Sequence, residues 1–258
     1  MNSLIDLLLD RLRAKKGLCI FFTVTLLNSL TITLRLNAFN PFDNTITGVD
    51  ANNIPITINI KDIVSIKFAI GPCQSCNIKA YVPNLVTNNI TVIDTATNTS
   101  VATIPSTGVT PNAIAITPDG TRAYVPNLFT DNITVIDTTI NTSVATIPST
   151  GVTPNAIAIT PDGTRAYVTN ESSDNITVID TTTNTSVATI PSTGVTPNAI
   201  AITPDGTRAY VTNLFTNNIT VIDTATNTSV ATIPSTGVTP NAIAITPDGT
   251  RAYVTNEK

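Results

Sequence analysis

From Tyr81 onward, hydrophobic and polar positions alternate with a period of two, and the alternation itself recurs. Four short apolar segments, RAYV, NITVID, SVATI and NAIAIT, follow one another and are separated by turn-forming stretches such as TPDG and TATN. Thr, Val and Ile favour extended backbone, and Pro-Asp-Gly supplies a fixed φ, a side-chain acceptor and a residue tolerant of positive φ. Nothing in this region has helical spacing. The tyrosines stand at 81, 124, 167, 210 and 253, the only five in the chain, each 43 residues from the next. The pattern therefore predicts four strands per 43-residue unit, with four full units followed by YVTNEK.

Four strands in a unit of this length correspond to one blade of a β-propeller. Both faces of the NAIAIT segment are apolar, with Ile114 and Ile116 on one side and Ala113 and Ala115 on the other. That suits a sheet sandwiched between two neighbours, where a small face receives a large one. A parallel β-helix is the alternative, though its coils are shorter than four strands plus four turns. The stretches YVPN or YVTN, ITVIDTATNT, VATIPSTG and PNAIAITPDGTRAY resemble the YVTN β-propeller repeats of surface-layer and other cell-surface proteins, over residues 78–258. The Gly-His and Trp-Asp pairs of WD40 blades are absent. The resemblance implies seven blades, whereas the repeats here suffice for four to five, so a small or open ring is expected. An open ring leaves an unpaired edge that invites self-association, and the near-identity of residues 81–123 and 210–252 invites strand exchange.

The first eighty residues follow another pattern. Residues 3–14 predict a short amphipathic helix, with Leu4, Leu7, Leu8 and Leu12 on one side. Residues 17–34 carry no charge and follow Arg11, Arg13, Lys15 and Lys16, the layout of a signal peptide or membrane anchor. Against that, Leu30, Ile32, Leu34 and Leu36 alternate with Thr31, Thr33, Arg35 and Asn37, which reads as a strand. Strands are expected near 18–25, 30–39, 44–50, 54–60 and 63–66. The runs LCIFFTV, LTITLRLNAFNPFDNTITGVD and IPITINIKDIVSIKF resemble the Sm-like small β-barrel, with Ile63 to Ile66 closing it. The lysine-histidine pair of its RNA-binding members is replaced by Lys61 and Asp62, so RNA binding is a lesser alternative. Another reading makes 44–60 a worn copy of NITVIDTATNTSVATI that helps close a fifth blade. The organisation expected is thus 1–70 as a helix plus barrel-like module, 71–80 as a join, and 81–258 as the propeller.

Charge sharpens this division. Residues 1–80 hold eight Lys and Arg against five Asp and Glu, and 81–258 hold five against twelve. An acidic second part disfavours nonspecific nucleic-acid binding there. The chain has no histidine, which removes Ser-His-Asp and Cys-His nucleophile systems and two-histidine zinc hydrolysis. Cys73 and Cys76 form a Cys-X-X-Cys spacing suited to a disulfide or redox pair; with no histidine and only a distant Cys19, a metal site within one chain lacks ligands.

Among the units, differences cluster at 85–88, 128–131, 171–174 and 214–217, loops expected on the same end of the ring as PSTGVTP. A rigid scaffold with varied loops at one end has the geometry of a binding face. Leu85, Val86, Leu128, Phe129, Leu214 and Phe215 are the candidate apolar rim for a protein or surface-polymer partner. Asp119 and Arg122, with their copies, are expected to pair around a turn, and Asp94 and its copies to accept local backbone N–H groups. The reading that emerges is a non-catalytic, cofactor-free repeat scaffold at a cell or spore surface, with homo-oligomerisation as an option and membrane anchoring open. The first alternative is an enzyme, since propellers resembling this family include lactonases and dehydrogenase subunits.

Overall fold

The computed structural model describes residues 18–26, 31–40, 45–49, 55–59, 63–72 and 79–257. The helix expected over 3–14 and both Cys73 and Cys76 lie outside the described residues. The chain divides into two units, Met1–Ile78 and Lys79–Lys258.

The first unit contains β1 (Leu18–Leu26), β2 (Thr31–Asn40), β3 (Thr45–Val49), β4 (Pro55–Asn59) and β5 (Ile63–Pro72). They form one antiparallel sheet in the order β4-β3-β2-β1-β5. Residues 18–26 and 31–40 are strands, as the two-residue alternation requires, paired with Phe22 opposite Leu34 and Val24 opposite Ile32. No helix among the described residues is long and apolar enough to cross a membrane. β5 runs to Pro72, further than expected, and pairs along its length with β1, Phe68 lying opposite Phe22. Among the described residues it makes no pairing with β4 that closes a barrel. Its hydrogen bonds are directed to β1.

The second unit is all-β and forms the open ring of a propeller. Its sheets are β6-β7-β8 (Lys79–Asn84, Asn89–Asp94, Thr99–Pro105), β9-β10-β11-β12 (Ala115–Ile116, Arg122–Asn127, Asn132–Asp137, Thr142–Pro148), β13-β14-β15-β16 (Pro154–Ile159, Arg165–Asn170, Asn175–Asp180, Thr185–Pro191), β17-β18-β19-β20 (Pro197–Ile202, Arg208–Asn213, Asn218–Asp223, Thr228–Pro234) and β21-β22 (Pro240–Ile245, Ala252–Asn256). Three blades are complete. Counted outward from the inner strand of a blade, the first sheet carries strands two to four, and the last carries strands one and two.

The turns follow from their residues. Gly120, Gly163, Gly206 and Gly249 take φ of 71–75° in the Pro-Asp-Gly hairpins, where a Cβ is disfavoured. Asn98, Asn141, Asn184 and Asn227 close the TATN-type turns at φ of 53–56°, a conformation asparagine tolerates. Asp94 accepts from the backbone N–H groups of Ala96 and Thr97, as expected of a turn-opening aspartate.

The core lies between blades. Tyr124, Ile133, Val135 and Ile147 of one blade pack with Ala166, Val168 and Ile179 of the next. The same set recurs one junction earlier and one later. Each tyrosine hydroxyl crosses its junction: Tyr124 donates to the Thr181 carbonyl at 3.1 Å and to Asn184 Oδ1 at 2.8 Å. Burial pushes the Tyr124 and Tyr167 phenols up to about 12.

Candidate functional site

The innermost strands of successive blades lie side by side; β13, β17 and β21 begin with Pro-Asn, and Pro111-Asn112 precedes β9 in the equivalent place. This places Asn112, Asn155, Asn198 and Asn241 in one row. Asn112 Nδ2 donates to Asn155 Oδ1, Asn155 Nδ2 to Asn198 Oδ1 at 2.6 Å, and Asn198 Nδ2 to Asn241 Oδ1 at 2.7 Å. The row needs one asparagine per repeat because only side chains in equivalent positions of adjacent blades come within reach.

Glu171 joins this row. It stands where Leu85, Leu128 and Leu214 stand in other repeats, and its backbone N–H is held by the Thr153 carbonyl at 3.0 Å. Its Oε1 accepts from Nδ2 of the buried Asn155 at 2.5 Å. Burial raises its carboxyl above the usual carboxylate range. Glu257 repeats the arrangement with Asn241 at 3.2 Å, in the two-stranded sheet.

The backbone beside this row is strained. Thr110, Thr153, Thr196 and Thr239 hold φ of 56–61°, which is unusual for a β-branched residue. Each is clamped by the preceding blade: Asn88, Asp131, Asp174 and Asn217 accept from their backbone N–H groups at 2.7–2.8 Å. The fourth position of the variable loops is therefore a structural clamp. Its restriction to Asn or Asp was the signal for this in the sequence.

The rim residues stand at the same end. Phe129 and Phe215 are 75% and 74% exposed, Val86 more so, and Leu85 partly; Leu128 and Leu214 are half-buried. Phe129 N–H bonds the Val109 carbonyl and Phe215 N–H the Val195 carbonyl, both at 3.3 Å, so the two loops of each blade meet. At the opposite end the arginines choose a partner the hairpin reading did not name. Arg122 pairs with Asp137, Arg165 with Asp180 at 2.7 Å and Arg208 with Asp223 at 2.5 Å. Asp119 instead accepts from Thr117 Oγ1 at 2.6 Å and Thr121 N at 3.0 Å, bonds that hold its carboxyl below the usual range. Clefts of about 490 and 370 Å³ open there between blades, lined by the repeated Asp, Thr and Arg side chains. No group of His, Cys, Asp and Glu suited to a metal ion occurs among the described residues.

The family model "Lactonase, 7-bladed beta-propeller" matches residues 80–189 and again 113–258. This chain belongs to the seven-bladed lactonase β-propeller family. The overlap of the two matches reflects the near-identity of its repeats, which fit several blades of the family equally well. Among solved structures, the chain is similar to Kuenenia stuttgartiensis hydrazine synthase, with 26% identity, a TM-score of 0.62, and coverage of 71% of this chain and 58% of that one. It is also similar to a functionally unknown protein from Desulfotomaculum acetoxidans DSM 771, with 20% identity, a TM-score of 0.62, and coverage of 92% and 73%. No curated protein sequence matches it.

Membership of the lactonase family corrects the expectation of a non-catalytic chain, because this is an enzyme-type propeller family with an enzyme among its structural neighbours. That expectation leaned on the lack of histidine and of any polar residue peculiar to one blade near the axis. Glu171 is the one such residue in the three complete blades, repeated only by Glu257 in the two-stranded sheet, and carboxylate chemistry needs no imidazole.

Proposed function

We propose that the second unit hydrolyses a lactone at the inner ends of its blades, with Glu171 as the acid–base group. The observation that carries this is Glu171, a half-buried carboxyl in place of leucine, hydrogen-bonded to the asparagine row and raised from its ordinary pKa by burial. A general base is most effective when its pKa approaches the working pH. Ionised Glu171 removes a proton from a water molecule, whose oxygen bonds to the ester carbonyl carbon. The asparagine amides supply dipoles for the negative charge that develops on the carbonyl oxygen. The ring C–O bond then breaks and its oxygen takes the proton back from Glu171. Phe129 and Phe215, on the blades either side of Glu171, provide apolar surface for the carbon skeleton of the substrate.

Proton release from a γ-lactone and a δ-lactone at constant pH tests this. The reading expects turnover above the buffer rate and a loss of about 10²- to 10⁴-fold in Glu171→Gln, which retains an acceptor for Asn155. Turnover no faster than buffer, or full activity in Glu171→Gln, removes it. The exposure of Phe129 and Phe215 also favours a second reading, contact with a protein or surface polymer; pull-downs unchanged by Phe129→Ser and Phe215→Ser remove that one. The YVTN motifs support a surface location for the chain, and the five antiparallel strands of the first unit support a small-barrel-like module that assembles or anchors it. Fractionation of intact cells tests the location: a chain found only in the interior overturns it.

A further inference from the structure

At the end of the blades away from Glu171, each Pro-Asp-Gly hairpin rests on the one before it. Gly163 lies against Pro118 and Gly206 against Pro161, so closely that a Cβ on either glycine would stand 3.2 Å from the proline Cδ. This stacking fixes the spacing of successive hairpins, and a cleft opens beside each contact. The cleft of about 490 Å³ has Pro161, Asp162, Arg165, Asp205, Gly206 and Ala225 in its wall. The cleft of about 370 Å³, one repeat earlier, has Pro118, Asp119, Arg122, Asp162, Gly163 and Thr182. Both volumes fall in the range of small-ligand sites, about 300–1,000 Å³.

The carboxylates in these walls are held rigid by their own turns. Asp162 Oδ1 accepts from Thr160 Oγ1 at 2.5 Å and from Thr164 N at 3.0 Å, and Asp205 Oδ1 from Thr203 Oγ1 at 2.6 Å and Thr207 N at 3.0 Å. Those bonds keep the carboxyls below their ordinary range and therefore ionised. Oδ2 of each takes only one bond, from the neighbouring threonine hydroxyl at 3.0 Å, where a carboxylate oxygen accepts two. The arginines are half-used as well. Arg165 gives Nη1 to Asp180 and Arg208 gives Nη1 to Asp223 and to the Thr207 carbonyl, while Nε and Nη2 of both donate to nothing among the described residues.

Charge narrows what these groups can receive. The larger cleft sets Asp162, Asp205 and Asp223 against Arg165 and Arg208, and the smaller sets Asp119 and Asp162 against Arg122, so carboxylates exceed guanidinium groups by one in each. An anion is repelled by that excess, and a compact cation meets a guanidinium beside every carboxylate. An uncharged group that both accepts and donates, the hydroxyl, satisfies both.

We propose that each cleft binds a neutral saccharide unit. Its hydroxyls accept from the free arginine N–H groups and donate to Oδ2 of the aspartates, and its C–H face rests on the exposed ring of Pro161 or Pro118. Fixed turns leave little to be ordered on binding. Identical clefts one repeat apart suit a glycan chain, whose sugars also repeat, because a chain held in one cleft presents its next units at high local concentration to the other. The site lies at the opposite end from Glu171 and does not depend on lactone hydrolysis.

Saturation-transfer NMR on the full chain tests this with the neutral disaccharides cellobiose, chitobiose, maltose and mannobiose, and with digalacturonate as the charged comparison. At least one neutral disaccharide is expected to bind at millimolar concentration, with a signal that added salt leaves unchanged. Thr182 and Ala225 are exposed, so Thr182→Trp and Ala225→Trp fill the smaller and the larger cleft without entering the core. Because the clefts are separate, each single variant is expected to lose about half of the signal and the double variant most of it, with circular dichroism and lactone turnover unchanged. Binding of none of the neutral disaccharides, binding restricted to digalacturonate, or a signal that the double variant leaves intact overturns the proposal.

Discussion

Tyr124→Phe removes one oxygen atom from the middle of a junction and nothing else. The ring is buried and keeps its packing against Ile133, Val135, Ala166 and Val168, so no cavity of consequence forms. What is lost is the hydroxyl's donation to the Thr181 carbonyl and to Asn184 Oδ1. A neutral intramolecular hydrogen bond contributes about 0.5–1.5 kcal/mol net, so sharing between two acceptors sets an expected loss of about 1–2 kcal/mol. In a unit of this size that corresponds to a fall of roughly 2–8 °C in melting temperature. Tyr210→Phe is the matched control, since the same atom there has no partner among the described residues. Its melting temperature is expected to match the parent. Denaturant unfolding followed by circular dichroism, with amide exchange at Thr181 to Asn184, reads both variants. Equal losses in the two, or no loss in Tyr124→Phe, refute the claim that these hydroxyls tie blade to blade.

The remaining expectations follow from individual contacts. Lactone turnover should fall as pH drops through the Glu171 pKa, on the high side of glutamate's ordinary value, because only the ionised form accepts the proton; a pH–rate profile whose acid limb lies below that ordinary value contradicts this. Tyr124 and Tyr167 are raised in the fold, so their contribution is whole below about 10 and is lost as pH climbs towards about 12, which alkaline unfolding curves measure. The lowered aspartates, Asp119 and Asp162 among them, act in the opposite sense. Their contribution is present above the unfolded pKa and disappears as pH falls through the folded one, so Asp162→Asn should flatten the acid limb of a stability profile. Asp131→Ala removes the acceptor that holds Thr153 in its strained φ and should cost about 1–3 kcal/mol by denaturant titration. Gly151→Ala places a Cβ 2.4 Å from both Asn175 Oδ1 and Ser173 Oγ and should cost a comparable amount, with lost soluble yield as its first sign.

The strands were legible because their determinants are local. Alternation, turn residues and the 43-residue period are properties of neighbouring positions, and β1 to β4 begin and end within about two residues of where that pattern puts them. β5 was underestimated because its second half, Lys67 to Pro72, loses clean alternation and is held by its pairing with β1. Asp94 and its turn were legible for the same local reason. Arg122 was not, since Asp119 is its near neighbour in sequence, and only the pairing of Arg122 opposite Asp137 across β10 and β11 brings the more distant aspartate beside it.

The sequence by itself determined a repeated four-stranded unit, its turns and the apolar faces that must be covered, because backbone preference and side-chain polarity act over a few residues. The tertiary structure decided which atoms meet across 16 to 60 positions: the asparagine row, the tyrosine crossings, the clamp on each strained threonine, and the placement of Glu171 beside Asn155. The first three depend on the angle and spacing between blades, a quantity that no single repeat contains. The same holds for the ends of the ring, where identical residues are buried or bare according to whether a neighbouring blade is there to cover them.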